Sequence, residues 1–255
     1  MTFLDSITLG VVEGLTEFLP VSSTGHLILA GSLLGIPDNH FTSSFEIAIQ
    51  LGAILAVLTL HLSSFLNLAL LKKIVVASLP TGIIGFTLYP LVKEYLLQNE
   101  IIVITALFLG GVALIVFERR YADRQNTKEL AELTYKDAFI IGCAQTLAII
   151  PGVSRSAATI LGGLGLGICR VAIVEFSFLL AVPVIAAATG LDLLKNGDSF
   201  TPREWEVLAV GFIVSFIVAL VSIRWLLHHV RNHSFTAFGV YRIALSVLFA
   251  IYLFW

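Results

Sequence analysis

Two acidic residues near the N-terminus have the spacing of a functional pair. Glu13 and Glu17 are four residues apart, so on a helix they share one face. Both lie in an otherwise apolar segment, where a carboxylate is costly and points to a function. Such a pair suits general acid or base chemistry or the binding of a divalent cation. The alternative is a pair of carboxylates satisfied by neighbouring hydroxyl groups.

The segment after Pro20 predicts a site for an anion. Ser22 and Ser23 are candidate N-caps of a helix that restarts after the proline. The free N–H groups and the positive dipole end of that helix face the break, an arrangement that binds phosphate. His26 lies three residues after Ser23, close enough on a helix for imidazole and hydroxyl to share a proton. A structural role for this histidine is the alternative.

A second broken motif, residues 151–159 (PGVSRSAAT), carries a positive charge instead. A proline and a glycine again break the chain, and serines again restart it. Arg155 needs an anionic partner if it is buried, and its planar donors match phosphate oxygens. A structural salt bridge to Glu13 or Glu17 is the alternative, and one arginine can serve both roles in turn.

Composition places these motifs in a membrane protein. The chain has 255 residues, of which 58% are hydrophobic and 13% are charged, whereas soluble proteins have roughly 25% charged residues. Most of its surface therefore faces lipid. The net charge of −2 argues against nucleic-acid binding. Cys143 and Cys169 lack metal-ligand spacing, and because the first basic residue is Lys72 we expect no cleavable signal peptide.

Hydropathy predicts an all-α polytopic fold with six transmembrane helices and two re-entrant helix hairpins. The hairpins, residues 4–34 and 135–167, are each divided by a polar break, and each half is too short to cross a core of about 30 Å. Such breaks are tolerated only inside protein or beside a wet cavity. The predicted spans are Phe45–His61, Ile74–Leu91, Ile101–Phe117, Val171–Leu194, Trp205–Leu227 and Phe235–Trp255.

The hairpins belong to a weak internal repeat. An offset of 132 residues aligns Asp5 with Asp137, Gly10 with Gly142, Glu13 with Gln145, Leu15 with Leu147, and Val21-Ser22 with Val153-Ser154. A slightly smaller offset aligns Glu46 with Glu175. We expect residues 1–118 and 134–255 to form the repeats, joined by a cytoplasmic linker at 119–133. Three crossings in each repeat invert one copy relative to the other, which is typical of transporters and lets the two tips meet.

The distribution of basic residues predicts the orientation. Eleven fall on one side of this topology and three on the other, so the first side is cytoplasmic and both termini lie on the outer side. The first set is Lys72, Lys73, Arg119, Arg120, Arg124, Lys128, Lys136, Arg170, Arg224, Arg231 and Arg242. The second set is Lys93, Lys195 and Arg203, and Arg155 belongs to neither.

The two motifs, together with residues 175–183 (EFSFLLAVP), resemble the undecaprenyl-diphosphate phosphatases of the bacitracin-resistance type. The resemblance extends over essentially the whole chain. It implies hydrolysis of undecaprenyl diphosphate to undecaprenyl phosphate and inorganic phosphate, which recycles the lipid carrier for peptidoglycan and gives bacitracin resistance. It further implies a multi-pass protein of the bacterial inner membrane, a site open to the periplasm, and assistance by a divalent cation, Mg²⁺ or Ca²⁺.

The same resemblance assigns roles to the motif residues. Glu13 and Glu17 would handle protons or the metal, Ser23 would be the nucleophile, His26 its proton partner, and Arg155 the diphosphate clamp. The expected substrate-binding positions are Ser22, Thr24, Gly25, Ser154, Ser156 and Thr159.

Several alternatives stay open at this point. The nucleophile is Ser23, His26 or a water molecule. A lipid-phosphate flippase would use the same inverted repeat and anion site, although the acid, hydroxyl and imidazole groups favour hydrolysis. A peptide-binding or purely structural membrane protein leaves the charges within the membrane without a purpose. The expected partners are a polyprenyl diphosphate lipid and the bilayer, with no nucleic acid, and a homodimer stays an open alternative.

Overall fold

The computed structural model describes residues 1–37, 39–91, 100–121 and 127–254. These residues form eleven α-helices and no β-strand, so the predicted all-α architecture is confirmed for them. Lys93, Arg124 and part of the predicted linker at 119–133 lie outside the described residues. The helices are α1 (Phe3–Thr16), α2 (Ser23–Leu33), α3 (His40–Leu60), α4 (Leu62–Leu66), α5 (Leu68–Leu91), α6 (Glu100–Tyr121), α7 (Tyr135–Gln145), α8 (Arg155–Gly165), α9 (Arg170–Asn196), α10 (Pro202–His229) and α11 (Thr236–Phe254).

Six of the helices in the described ranges are long and apolar enough to cross a membrane: α3, α5, α6, α9, α10 and α11. They correspond to the six predicted spans, but several begin earlier than hydropathy suggests. Helix α3 begins at His40 because the side chain of Asn39 accepts a hydrogen bond from the N–H of Thr42. Helix α10 begins at Pro202, since Thr201 and Glu204 form a capping box. Polar caps, and not the apolar boundary, set these helix ends.

Short helices occupy the two regions that carry the motifs. Helices α1 and α2 have 14 and 11 residues, and α7 and α8 have 11 each. At 1.5 Å per residue none exceeds about 21 Å, which is less than the roughly 30 Å of a hydrocarbon core. A 3₁₀-helix at Thr146–Ile149 extends α7 towards the second break.

The local structure of these two regions recurs at the offset of 132 residues. Thr2 and Asp5 form the capping box that starts α1, and Thr134 and Asp137 form the one that starts α7. At the breaks, Ser22 and Ser154 both cap the following helix, each with a positive φ, 73° and 76° respectively.

The packing of the helices follows the same correspondence. Helix α1 packs against α10, and α7 packs against α5, while α6 packs against α11 and α3 against α9. Glycines allow the close approaches, because a Cβ added to Gly10 would lie 2.7 Å from the carbonyl oxygen of Gly211. One added to Gly142 would lie 2.2 Å from the carbonyl oxygen of Ala77. The first short helix of each region, α1 or α7, is thereby held by a long helix from the other half of the chain.

Candidate active site

The two broken motifs contact each other although they are far apart in sequence. The Ser156 hydroxyl donates a 2.8 Å hydrogen bond to the carbonyl oxygen of Phe18. Arg155 Nη2 donates to Glu17 Oε1 at 3.1 Å, forming an ion pair whose side chains are only 12% and 7% exposed. The structure therefore brings together an acidic residue of the first motif and the basic residue of the second.

Ser23 completes this contact. Its hydroxyl donates to Glu17 Oε2 at 2.5 Å, and both residues are buried. One carboxylate thus accepts hydrogen bonds from Ser23 through one oxygen and from Arg155 through the other. A short hydrogen bond to a carboxylate is the strong, charge-assisted kind. The Ser23 hydroxyl thus has a proton acceptor within hydrogen-bond distance, which is the arrangement that activates a hydroxyl for nucleophilic attack.

Arg155 is held by a second set of contacts on α8 and α9. Its Nη1 donates to the carbonyl oxygen of Ser177 at 2.8 Å, and the Ser177 hydroxyl lies 2.7 Å from Thr159 Oγ1. The guanidinium also lies 5.8 Å from the centre of the Phe18 ring. Thr159 is fully buried behind the arginine, so it positions Arg155 and does not face the cavity described next.

A cavity of about 260 Å³ opens between the two breaks. Of the expected site residues, those lining it are Glu17, Ser22, Ser23, Thr24, Ser154 and Arg155. Gln50, Thr81 and Gln145 add polar lining that sequence reasoning did not assign, and most of the apolar lining comes from Ala148, Ile149, Ile150, Val184, Ile185 and Ala188. A cavity of this composition suits a polar head group attached to an apolar chain.

His26 makes no hydrogen bond to Ser23 in the described structure. Its Nδ1 lies 2.8 Å from the carbonyl oxygen of Ser22, and its Nε2 lies 2.7 Å from the hydroxyl of Tyr241. A carbonyl oxygen only accepts, so Nδ1 carries the hydrogen and Nε2 accepts the tyrosine hydroxyl proton. The expected proton sharing between His26 and Ser23 is replaced by the Ser23–Glu17 hydrogen bond, because both ring nitrogens are engaged elsewhere.

Glu13 is fully buried, and neither of its carboxylate oxygens has a hydrogen-bond partner among the described residues. A buried carboxylate without a partner is neutralised by a proton or by a cation. The orphaned oxygens therefore fit either a protonated carboxyl group or a cation ligand. In contrast, both oxygens of Glu17 already accept hydrogen bonds. The described residues contain no group of three or more histidine, cysteine or acidic residues arranged to hold a metal ion.

Arg242 corrects one sequence-based assignment. It was counted among the cytoplasmic basic residues, but it is fully buried within α11. Its five donor bonds end on backbone carbonyl oxygens of the first break, the second break and α6. The acceptors are Pro20, Gly152, Val153, Ala106 and Leu107, at 2.9–3.3 Å. The positive-inside comparison becomes ten against three, so the predicted orientation is unchanged.

The sequence contained a signal for this role that was missed. Arg242 is a charged residue inside a predicted span, which by itself points to a function. The position 132 residues earlier is Gly110, and a Cβ added there would lie 2.1 Å from Arg242 Nη2. The guanidinium thus occupies the space that a larger residue at the equivalent position of α6 would fill.

Comparisons with known proteins agree with these features. The family model described as bacitracin resistance protein BacA matches residues 6–248. Among similar curated proteins, the undecaprenyl-diphosphatase of Sulfurihydrogenibium sp. is 49% identical over 99% of this chain and 100% of its own length. The undecaprenyl-diphosphatase of Aquifex aeolicus is 47% identical over 99% of both chains. That of Thermus thermophilus is 47% identical over 97% of this chain and 96% of its own. The chain therefore belongs to the bacitracin resistance protein BacA family.

Proposed function

We propose that this protein hydrolyses undecaprenyl diphosphate to undecaprenyl phosphate and inorganic phosphate. The printed name of the full-length relatives, undecaprenyl-diphosphatase, supplies the substrate. The observation that carries the reaction type is the contact of Ser23 and Arg155 with the two oxygens of Glu17. Family membership links this activity to bacitracin resistance, and the released carrier lipid returns to cell-wall synthesis.

In the proposed reaction, Ser23 Oγ attacks the terminal phosphorus. The new bond joins Oγ to phosphorus, and the bond from phosphorus to the bridging oxygen breaks. Glu17 takes the hydroxyl proton, and polyprenyl phosphate leaves. Water then cleaves the phosphoserine, which releases inorganic phosphate and restores the hydroxyl. Arg155 moves from Glu17 to the phosphate oxygens and offsets the charge that they carry in the transition state.

The geometry favours Ser23 over His26 as the nucleophile. Ser23 lines the cavity and has a carboxylate acceptor, whereas both nitrogens of His26 are engaged by Ser22 and Tyr241. His26 in this proposal holds the first break in position. Direct attack by water remains the competing mechanism, and the phosphoserine is the intermediate that separates the two.

A divalent cation, Mg²⁺ or Ca²⁺, is proposed as an assisting ion. Glu13 is the residue that fits it, because its two oxygens have no partner among the described residues. When bound, the cation supplies positive charge that stabilises the transferring phosphoryl group. Glu17 contributes to such a site only when Ser23 and Arg155 release its oxygens.

The membrane arrangement follows from the same elements. We propose that α1–α2 and α7–α8 are re-entrant hairpins of an inverted repeat in the bacterial inner membrane, with both termini and the mouth of the site on the periplasmic side. The short helices, the equivalent caps and the reciprocal packing of α1 on α10 and α7 on α5 support this. The prenyl chain stays in lipid while the diphosphate enters the cavity. The names of the relatives give no support to the flippase alternative.

Phosphate release by the purified protein in detergent tests the proposal. With farnesyl diphosphate and Mg²⁺ or Ca²⁺, the wild type is expected to release phosphate, and Ser23→Ala is expected to lose at least about 10³-fold in kcat. Ser32→Ala is a matched control, since Ser32 is exposed on the same helix and pairs only weakly with Tyr252. Absence of release with either cation rules out the phosphatase. Normal turnover by Ser23→Ala rejects the serine nucleophile in favour of water.

A further inference from the structure

Gln145 is a cavity residue that the proposed mechanism does not use. It is the last residue of α7, is only 1% exposed, and lines the cavity with Glu17 and Arg155. The internal repeat aligns it with Glu13 of the first half. The second half thus has a neutral amide where the first has a carboxylate, which raises the question of what that amide recognises.

The hydrogen bonds of Thr81 fix the orientation of this amide. The Thr81 hydroxyl donates to the carbonyl oxygen of Gly142 at 3.3 Å, so its proton is already used. It can therefore only accept from Gln145, and Gln145 Nε2 donates to it at 2.8 Å. The other amide atom, Oε1, cannot exchange places with Nε2 without losing this bond. The free atom of the Gln145 amide is therefore Oε1, which can only accept a hydrogen bond from a ligand.

Two residues that line this cavity each have a buried polar atom without a partner among the described residues, and the two atoms are complementary. Gln145 Oε1 is an acceptor without a donor, and Arg155 Nε is a donor without an acceptor. Leaving such buried groups unpaired is costly, so a native structure is expected to satisfy them with a ligand or water. A ligand that satisfies both carries a hydrogen-bond donor and an anionic oxygen in the same compact group.

We propose that Gln145 is a specificity residue that accepts a hydrogen bond from the P–OH of a monohydrogen phosphate group, while Arg155 Nε donates to one of its anionic oxygens. The inference deepens the proposed phosphatase function and rests on it. The group is the terminal phosphate of the lipid diphosphate or the inorganic phosphate that hydrolysis releases. Both carry a hydroxyl on phosphorus in their monoprotonated forms, and both have three further oxygens.

The acceptor Gln145 Oε1 should let the site distinguish phosphate from sulfate. A tetrahedral anion without a proton, such as sulfate, turns an oxygen lone pair towards Gln145 Oε1, which repels it and leaves the amide unpaired. A site built to receive a donor rejects an isosteric ligand that lacks one. Phosphate and sulfate have nearly the same size and shape, so the ratio of their affinities isolates this single hydrogen bond.

Competitive inhibition of farnesyl diphosphate hydrolysis by each anion measures that ratio at pH 7. The wild type is expected to bind phosphate at least about tenfold more tightly than sulfate, which one hydrogen bond of ordinary strength provides. Gln145→Leu is expected to bring the two inhibition constants within about twofold of each other. Gln145→Glu is expected to weaken both anions, because it adds negative charge, but to keep the preference for phosphate, since a carboxylate still accepts.

The two sources of phosphate are distinguished by kinetics. If the lipid uses this subsite, Gln145→Leu raises KM for farnesyl diphosphate together with the inhibition constant of phosphate. If KM stays unchanged while the phosphate constant rises, the subsite holds only the released product. Both results support the assignment of Gln145.

Other outcomes overturn it. If Gln145→Leu keeps the preference for phosphate, or if the wild type has no such preference, Gln145 does not accept a hydrogen bond from phosphate. Loss of the preference in Gln145→Glu equally contradicts a role as acceptor. The shift in Tm produced by phosphate and by sulfate reports the same ratio without turnover, and it also shows whether each variant is folded. A wild type that binds phosphate selectively but releases none would therefore reject the phosphatase function and not this subsite.

Discussion

The two tips of the candidate site are the serine-capped breaks that precede α2 and α8. They have the same backbone conformation but different side chains. At both, a serine with positive φ caps a helix of eleven residues, with its hydroxyl accepting from the N–H three residues later. The first tip then presents Ser23 beside Glu17, and the second presents Arg155 in the position that follows Ser154. Position 23 aligns with position 155 at the offset of 132, so a hydroxyl group and a cation occupy equivalent places.

In the proposed site, this difference gives the two tips complementary chemistry. Identical tips would provide two helix N-termini with the same charge preference and the same side chains. Divergence at a single equivalent pair adds a hydroxyl on one side and a guanidinium on the other, which suits attack on a phosphoryl group held between them. The carboxylate of Glu17 connects the two tips, because it accepts hydrogen bonds from both Ser23 and Arg155.

Among substitutions that compare the two tips, the largest effect beyond Ser23→Ala is expected from removing the cation of the second tip. Arg155→Ala deletes a transition-state donor, so kcat should fall about 10²–10³-fold. It also leaves Glu17 buried without its ion-pair partner, and breaking such a pair costs about 3–5 kcal/mol of stability. Phosphate release and the unfolding temperature in detergent measure the two effects. Arg155→Lys, with fewer donors and no planar fork, should recover only part of the activity. Full activity of Arg155→Ala would show that the second tip does not stabilise the transition state.

Removing the residue that joins the tips should mainly reduce stability. Arg242→Ala removes a donor from five carbonyl oxygens, and those of Pro20, Gly152 and Val153 lie outside helices, so the unfolding free energy should fall by at least about 3 kcal/mol. Arg242→Lys should recover a fraction, because an ammonium has only three donors. Thermal unfolding in detergent is the measurement, and Arg224→Ala, which changes an exposed arginine on α10, is the matched control. Equal unfolding temperatures for the two alanine variants would show that the tips hold together without Arg242.

A smaller effect is expected at the histidine of the first tip, which has no counterpart in the second. Tyr241→Phe removes the hydroxyl that donates to His26 Nε2, a loss of about 1 kcal/mol. Because His26 only positions the break in the proposed mechanism, kcat/KM should fall less than tenfold. Tyr252→Phe is the control on the same helix. A loss as large as that of Ser23→Ala would instead assign His26 to the chemistry.

The smallest effect tests the equivalence of the two backbones. Ser22→Gly and Ser154→Gly should each change the unfolding free energy by only a few tenths of a kcal/mol, because glycine adopts a positive φ freely and is a tolerable cap. Ser→Ala at either position removes the capping oxygen and should cost about 1 kcal/mol. Unfolding in detergent should give the same ranking at both tips. Unequal costs would show that one serine stabilises the structure through something other than its cap.

Much of the architecture could be predicted from local patterns. The apolar runs predicted the six long helices, and the breaks at Pro20 and Pro151 predicted that each motif region is divided into short helices. Helices α1 and α7 nevertheless end at Thr16 and Gln145, several residues before these prolines. The exact starts of α3, α5 and α10 were not predicted, because side-chain caps at Asn39, Asn67 and Thr201 extend the helices beyond their apolar cores. Hydropathy is averaged over many residues, whereas a cap depends on one.

The candidate site was predictable in its composition and not in its contacts. The motifs identified Glu17, Ser23 and Arg155 from the cost of placing charge and hydroxyl groups in apolar surroundings. Sequence spacing also suggested that His26 would pair with Ser23, since residues three apart on a helix are neighbours. That proximity did not decide the partner, because Tyr241, more than two hundred residues away, was available to the ring.

The sequence by itself determined that this is an all-helical, lipid-facing protein with two polar breaks, since composition and periodicity are properties of each segment alone. Only the tertiary structure decided which groups meet. Glu17 pairs with Arg155, Arg242 joins both breaks, and Gln145 faces the cavity because helices from opposite halves of the chain pack together. Hydrogen bonds of this kind depend on distances between atoms that no local pattern specifies.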